Sequence, residues 1–172
     1  QSLTRSFFHW QLERRGLDVF RGREVSLLRE VKVRGLIDRD YAAVALDTPI
    51  EEVRKALVRA PYSELLVVDG DGRLRGVITF SELSSVAFDT SHDRELTAAS
   101  VARGTPPMLL ADDDLSRAID VFRGTGEPHI PVVDNDEERR LLGLAHEHEV
   151  MAAYHRTLLQ IRAEESGEAV SS

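Results

Sequence analysis

The chain has 172 residues, of which 42% are hydrophobic and 30% are charged, as expected for a globular protein of one or two domains. It has no cysteine, which excludes disulfides and thiolate metal sites. Residues 1–34 hold eight Lys or Arg against four Asp or Glu, whereas residues 35–172 hold 14 against 26, and the net charge is −8. We refer to residues 35–172 as the acidic body. Nucleic-acid binding needs clustered cations, so the charge of this part of the chain disfavours it.

An aromatic stretch lies near the start of the chain. Large apolar side chains occupy Phe7, Phe8, Trp10 and Leu12, and two arginines follow closely. Aromatic residues at a membrane interface, followed by cytoplasmic arginine, are typical of the inner end of a membrane helix. An amphipathic helix packed on the acidic body explains the pattern equally well. Residues 24–33 predict a short helix or an extended connector.

Residues 41–88 predict five elements. Residues 41–46 give a weak strand signal, and a helix starts at residues 47–49, where Pro49 suits the first turn. Pro61 stops this helix. Two apolar runs at residues 65–68 and 74–79, joined by a tight acidic glycine turn, predict a hairpin, and residues 80–83 start another helix.

A second copy of this pattern follows at a nearly constant spacing. Asp134 repeats Asp69, and Gly143 repeats Gly76 at a slightly longer interval. Two extra residues in the second hairpin loop account for the difference, because loops tolerate insertions. The copy predicts a strand at 108–110, a helix at 114–123 ended by two glycines, and strands at 129–134 and 141–145. A last helix starts at 147–150 and continues to 163.

The duplication predicts an α/β (α+β) fold of two βαββα units. A unit of about 50 residues buries little core alone. Two similar units cover each other's apolar faces most simply across a pseudo-twofold axis. The expected organisation is a leader at 1–34, a first repeat at 35–92, a second repeat with an extended C-terminal helix at 93–163, and a frayed polar tail at 164–172.

The paired units resemble a tandem CBS domain, or Bateman module, over about residues 36–151. The resemblance is carried by LLVVD at 65–69, GVIT at 76–79, PVVD at 131–134 and LGL at 142–144. Residues 8–16 (FHWQLERRG) look like the junction after the last membrane helix of CLC-type chloride channels and chloride/proton antiporters. A freestanding CBS pair has no place for such a leader, so the resemblance implies the cytoplasmic regulatory part of such a transporter.

The same resemblance implies a regulatory site for ATP, ADP or AMP. In nucleotide-binding CLC-type CBS pairs the ligand lies between the repeats and contacts a Tyr-Ser pair, which corresponds here to Tyr62 and Ser63. An acid at the start of the last helix of the second repeat takes the ribose hydroxyls, and it corresponds to Glu149. Tyr62 packed at a corner between a helix and a strand explains that residue without any ligand.

Thr79 and Glu82 match the CBS pattern of a threonine followed three residues later by a ribose-binding acid. They also form a capping box, which stabilises a helix by about 0.5–2 kcal/mol without a ligand. The second copy departs from the pattern, because His146 replaces the threonine and Glu149 stands where aspartate is usual. These larger side chains are expected to crowd a ribose pocket.

The sequence predicts neither a metal site nor catalysis. Residues 146–155 (HEHEVMAAYH) lack the His-Glu-x-x-His order of zinc proteases, and on a helix His146 and His148 would point about 200° apart. The acidic turn at 134–138 lacks the glycine and terminal glutamate of an EF-hand loop. No nucleophile–base set or glycine-rich phosphate loop is evident, so we do not expect an enzyme.

The favoured interpretation is a CBS pair at the cytoplasmic face of the membrane, beneath the transmembrane domain of a chloride channel or antiporter. It would form a homodimer and modulate gating, with an adenine nucleotide as a candidate regulatory ligand and no required cofactor. A ligand can bias gating only by binding one arrangement more tightly than the other. The alternatives are a ligand-free structural domain for dimerisation and trafficking, and an energy-sensing CBS module of another transporter or enzyme.

Overall fold

The computed structural model describes residues 22–87, 91 and 93–170, with side chains up to residue 167. The aromatic and basic stretch at residues 6–16 lies outside the described residues, so its role as a membrane junction stays a prediction. Within the described ranges, no helix has both the length and the apolar character needed to cross a membrane.

Each repeat contains the predicted βαββα unit. In the first, these elements are β1 (Ala42–Ala45), α2 (Ile50–Arg59), β2 (Glu64–Val68), β3 (Leu74–Thr79) and α3 (Phe80–Ser84). In the second, they are β4 (Leu109–Leu110), α5 (Leu115–Thr125), β5 (His129–Val133), β6 (Leu141–His146) and α6 (Glu147–Val170). A helix α1 at residues 22–30 precedes the first unit, and a short helix α4 (Ala98–Val101) precedes the second.

Two three-stranded sheets have the same topology. Their strand orders are β1-β2-β3 and β4-β5-β6, with a parallel first pair and an antiparallel second pair in each. Capping residues determine where the helix between the strands begins and ends, as α5 shows. Asp114 caps α5 by accepting a hydrogen bond from the Arg117 amide, and Gly126 ends it with a φ of 67°.

Reciprocal backbone bridges relate the two repeats by a pseudo-twofold axis. The segment before β1 crosses the second sheet, where Asp38 and Leu144 exchange backbone hydrogen bonds of 2.8 and 2.9 Å. The segment before β4 crosses the first sheet, where Arg103 and Val77 exchange bonds of 2.9 and 3.1 Å. These are equivalent pairs, because Arg103 follows Asp38, and Leu144 follows Val77, at the two spacings of the repeat.

The repeated glycines make room for these crossings. A Cβ on Gly143 would lie 2.3 Å from the Asp38 carbonyl oxygen, and a Cβ on Gly76 would lie 3.0 Å from the Arg103 carbonyl oxygen. Each glycine therefore lets the leading segment of the opposite repeat lie directly on the sheet.

The core has three parts. One buried cluster fills each repeat, and a third joins the sheets through Leu66, Leu74, Val77, Val133 and Leu144. This third cluster confirms that the units cover each other's apolar faces. Helix α1 belongs to the second repeat's core, since Leu28 is buried there and Tyr154 of α6 donates a 3.1 Å hydrogen bond to Glu24.

Two predictions about the C-terminal region are wrong. Helix α6 begins at Glu147 and continues to Val170, so residues 164–170 are helical rather than a frayed tail. An ion pair of 3.3 Å between Arg23 of α1 and Glu164 helps to hold that end. His146 is the last residue of β6 rather than part of a helix, so the wide helical angle expected between it and His148 does not apply. Instead, the His146 and His148 rings stack at 5.6 Å.

Candidate functional site: two clefts between the repeats

An open pocket of about 420 Å³ lies where the segment before β1 crosses the end of β6. Its walls come from both repeats. They comprise residues 35–38 of the crossing segment, Tyr62 from the turn before β2, His146 at the end of β6, and His148, Glu149 and Arg156 of α6. The pseudo-twofold packing therefore brings together groups that are far apart in the chain.

Asp38 is the hub of the hydrogen bonds in this pocket. Its Oδ2 accepts a bond of 2.7 Å from the Tyr62 hydroxyl and lies 2.7 Å from His146 Nε2. Its Oδ1 accepts a bond of 2.8 Å from the Asp40 amide. The Asp40 amide, followed by the His146 and Tyr62 bonds, lowers the pKa of Asp38 to about 2. Asp38 is therefore an anion at neutral pH and acts only as an acceptor.

A pair of histidines lies beneath the pocket. Nδ1 of His146 is 2.8 Å from Nδ1 of His129, the first residue of β5, and the two rings meet edge to face. The His146 side chain is 5% exposed. Burial, reinforced by the nearby His146 and His148 rings, lowers the pKa of His129. Both imidazoles therefore belong to a continuous hydrogen-bonded network that includes Asp38.

Tyr62 covers this histidine pair. Its ring centroid is 4.6 Å from that of His129 and 4.5 Å from that of His146, yet the residue remains 44% exposed. The turn that presents it is strained, because Tyr62 and Ser63 have φ values of 59° and 54°. The hydrogen bond to Asp38 raises the pKa of the Tyr62 phenol. An aromatic face is thus held in place at the pocket.

The equivalent cleft on the other side of the pseudo-twofold axis is closed. Arg103, the counterpart of Asp38, lies 3.1 Å from Glu127 and 3.7 Å from Glu82. The void beside these ion pairs has a volume of about 10 Å³, the size of a water molecule, and Glu64 and His129 also line it. Ion pairs here fill the space that the first cleft leaves open.

Glu64 is a buried carboxyl in the closed cleft. It is 9% exposed, and its Oε1 has no hydrogen-bond partner among the described residues. Burial, with a smaller contribution from Glu127, raises its pKa to about 7, although Arg103 opposes the shift. Glu64 therefore loses its proton near neutral pH.

Comparisons with known proteins agree with the fold of two βαββα repeats in which each leading segment crosses the opposite sheet. The family model of the CBS domain matches residues 33–89 and 98–156, which together make up about two thirds of the chain. The chain belongs to the CBS domain family. A CBS pair of this kind is a regulatory module.

Two curated relatives are much longer than this CBS pair. Chloride channel protein CLC-f of Arabidopsis thaliana is 28% identical over 142 residues, which are 72% of this chain and 18% of that protein. Homoserine O-acetyltransferase of Methanosarcina acetivorans is 24% identical over 130 residues, or 75% of this chain and 23% of that protein. The chain spans less than a quarter of each relative.

Solved structures share the fold. The cytosolic domain of the Mg²⁺ channel MgtE in complex with ATP is 27% identical with a TM-score of 0.60, and the match covers 72% of this chain and 49% of that one. A CBS domain-containing protein of unknown function from Bacillus anthracis is 18% identical with a TM-score of 0.64, and the match covers 75% of this chain and 96% of that one.

The six residues predicted as a nucleotide site do not all lie in one place. Tyr62, His146 and Glu149 line the open pocket, whereas Ser63 is exposed beside Tyr62 and is not part of the pocket lining. Thr79 and Glu82 belong to the opposite cleft. The predicted capping box is confirmed, since Glu82 accepts a 2.8 Å bond from the Thr79 amide and Thr79 accepts one from Ser81.

His146 and Glu149 differ in how they meet the pocket. His146 is buried beneath Tyr62 and bonded to Asp38, and the expected crowding of a ribose pocket by its imidazole stays a prediction. Glu149 is half exposed on the first turn of α6, beside His148. Of these two residues, only Glu149 presents an exposed polar group to a ligand.

Sequence reasoning missed Asp38, His129 and Arg156. Asp38 and Arg103 lie in segments without a strong secondary-structure pattern, and only the spacing of the repeat marks them as counterparts. The same spacing relates Tyr62 to Glu127. In each of these two pairs of equivalent positions, one repeat has an acidic hydrogen-bond acceptor and the other has a donor side chain. This difference between the repeats can be read from the sequence.

Proposed function

We propose that this chain is the regulatory CBS pair at the cytoplasmic face of a chloride channel or chloride/proton antiporter. Its own transmembrane domain is the partner that it regulates. The leader at residues 6–16 and the relationship to CLC-f, a chloride channel, support this assignment. Rearrangement between the repeats, or between two copies, is passed to the membrane domain and changes gating.

The open pocket supplies the ligand site in this proposal, and it is the observation that carries the function. Its exposed Tyr62 ring suits adenine, the Glu149 carboxylate suits ribose hydroxyls, and the exposed Arg156 suits phosphate. The similar MgtE domain was solved with ATP. An adenine nucleotide is therefore the proposed regulatory ligand.

Calorimetric titration with ATP, ADP and AMP tests the ligand. We expect binding below about 1 mM by at least one nucleotide, and a loss of affinity of about tenfold or more for Tyr62→Ala and for Glu149→Ala. Glu127→Ala is the matched control, because Glu127 is the counterpart of Tyr62 in the closed cleft, and it should change affinity less than about twofold. Absence of binding by all three nucleotides would contradict this part of the proposal.

A ligand-free structural domain is the second candidate. Two carboxylates, Asp38 and Glu149, line the open pocket and disfavour a phosphate there. In that case the function depends on the homodimer alone.

Helices α2 and α6 expose Val58 at 75% and Leu159 at 63%, and Phe80 at the start of α3 is 54% exposed. Sedimentation of the chain should show a dimer at micromolar concentration, and Val58→Glu or Leu159→Glu should weaken it; a monomer would remove this candidate.

The transporter assignment has a separate test. The coding sequence upstream of Gln1 should encode several long apolar helices, as a CLC-type membrane domain requires. Chloride flux through the reconstituted whole protein should then change when the CBS pair carries Tyr62→Ala. An enzyme domain or a different transporter upstream would favour an energy-sensing CBS module in another protein, and the homoserine O-acetyltransferase relative is the observation in favour of that outcome.

A further inference from the structure

The histidine pair under the open pocket forces a specific arrangement of protons. Two Nδ1 atoms 2.8 Å apart must share one proton, because neither two lone pairs nor two N–H groups can face each other at that distance. His146 Nε2 faces the anionic Asp38 at 2.7 Å and therefore carries a proton. With both rings neutral, His146 Nδ1 is the acceptor, and His129 donates its Nδ1–H.

The pair has room for one more proton. A proton added to His129 Nε2 leaves the bond between the rings intact, and the shared proton can then move so that His146, beside Asp38, carries the charge. A second additional proton would put two N–H groups face to face and break the bond. The hydrogen bond between the rings therefore accommodates one added proton and no more.

The charged groups around the histidine pair determine how an added proton changes the net charge of the open pocket. On the open side the pair is faced by Asp38 and Tyr62 from the first repeat and by His148, Glu149 and Arg156 from α6. On the closed side it is faced by Glu127 from the turn before β5, by Glu64 of β2 and by Arg103. With neutral imidazoles, the pocket side holds two carboxylates against one guanidinium. One added proton cancels the excess negative charge, and the pocket becomes more favourable for an anion.

We infer that the open pocket takes up its anionic ligand together with one proton, which is held by His129 and His146. This inference rests on the proposed nucleotide site and names its regulation. By linkage, a ligand that favours the protonated pair binds more tightly as pH falls, by at most about tenfold per pH unit for one proton. Acidification would thus strengthen the hold of the CBS pair on a phosphate-bearing ligand.

Calorimetry of the whole chain tests the coupling. AMP is titrated between pH 6.0 and 7.5 in two buffers of different ionisation enthalpy, with adenosine as the ligand that lacks the phosphate. We expect about threefold to tenfold tighter AMP binding at the lower pH. Averaged over this pH range, the excess uptake should be about 0.3–0.7 proton per AMP after correction for the titration of free AMP. Adenosine should bind with less than about a twofold change.

Three variants locate the proton. His129→Leu removes one ring of the pair, which is not itself part of the open-pocket lining, and leaves a protonated His146 Nδ1 without an acceptor. It should abolish the excess proton uptake while retaining AMP binding at pH 7.5. His148→Gln removes an exposed imidazole of the pocket. Glu64→Gln removes the carboxyl beside His129 in the closed cleft, which loses its own proton near neutral pH. Both should keep the uptake. Thermal unfolding of each variant confirms that it is folded.

The outcomes separate the two proposals. AMP binding without excess proton uptake in the wild-type chain would overturn this inference and leave the nucleotide site standing. Uptake that disappears in His148→Gln and persists in His129→Leu would place the proton on α6 and would also overturn it. Failure of ATP, ADP, AMP and adenosine to bind at every pH would overturn the nucleotide site and this inference with it.

Discussion

The two clefts of this CBS pair occupy equivalent positions but differ in charge. In both, the residue that crosses the opposite sheet contacts the residue in the turn before the central strand. On the open side these are Asp38 and Tyr62, and on the closed side they are Arg103 and Glu127. The donor and the acceptor have exchanged places between the repeats.

This exchange decides which cleft is accessible. The long guanidinium of Arg103 spans from Glu127 to Glu82 and fills the closed side, whereas the short carboxylate of Asp38 leaves about 420 Å³ free. On the open side the counterpart of Glu82 is Glu149, an acid that cannot pair with Asp38. A duplicated unit has thus become one candidate site and one inter-repeat ion-pair cluster, so binding of a single nucleotide per chain is expected.

The largest effect should come from the glycines under the two crossings. Gly143→Ala would place a Cβ 2.3 Å from a backbone oxygen and 2.5 Å from Ile37 Cγ2, so we expect a loss of about 3 kcal/mol or more in the free energy of unfolding. Gly76→Ala meets Ala102 and Arg103 at 3.0 Å and should cost about 1 kcal/mol. Urea denaturation of both variants measures the difference, and equal losses would contradict the asymmetry.

The next effect concerns the residue that begins each central strand, Glu64 in β2 and His129 in β5. The pKa of Glu64 is raised from 4.5 to about 7, so the folded chain holds a proton that the unfolded chain releases. The stability that this proton provides is complete below pH 4.5, declines as pH rises, and is lost above about pH 7. Glu64→Gln removes this dependence, because glutamine stays neutral.

Urea denaturation at two pH values checks this prediction. At pH 8 Glu64→Gln should be more stable than the wild type by roughly 2–3 kcal/mol, and at pH 5 the difference should fall below about 1 kcal/mol. Glu137→Gln, an exposed carboxyl in the second hairpin turn, is the control and should change stability by less than about 0.5 kcal/mol at either pH. A gain for Glu64→Gln that is independent of pH would contradict the buried ionisation.

The sequence was sufficient for the fold because the fold is repeated. The acidic turns and glycines recur at two nearly equal spacings, and apolar periodicity marks the strands and helices between them. The bridges between Asp38 and Leu144 and between Arg103 and Val77 confirm the expected axis. Element boundaries were less secure, since α6 continues past the predicted end at residue 163 to Val170.

The site was less predictable because it depends on which segment crosses which sheet. Tyr62 and Glu149 were predicted as ligand contacts from the resemblance to CLC-type CBS pairs, and they line the same pocket; their role there stays a prediction. Thr79 ends β3 of the first sheet, which the Arg103 segment crosses, so it lies in the other cleft. No local sequence pattern predicts the contact between Asp38 and His146, which are 108 positions apart. That contact forms only when the two sheets pack against each other.

The smallest predicted effect removes one hydrogen bond from each cleft. Tyr62→Phe loses the bond to Asp38 but keeps the ring over the two histidines, so the free energy of unfolding should fall by about 0.5–1 kcal/mol. Glu127→Gln loses a partly exposed ion pair to Arg103 and should cost a similar amount or less at low salt. The two losses differ in their dependence on salt, because only the second is between full charges.

Urea denaturation at low and high NaCl, about 0.05 and about 0.5 M, separates these two contributions. The loss in Glu127→Gln should shrink at high salt, whereas the loss in Tyr62→Phe should change little. Nucleotide affinity should stay within about threefold of wild type in Tyr62→Phe, since the aromatic face that stacks on adenine is retained. If Tyr62→Phe instead lost affinity as strongly as Tyr62→Ala, the hydroxyl and its bond to Asp38, rather than the ring, would be what the pocket offers to its ligand.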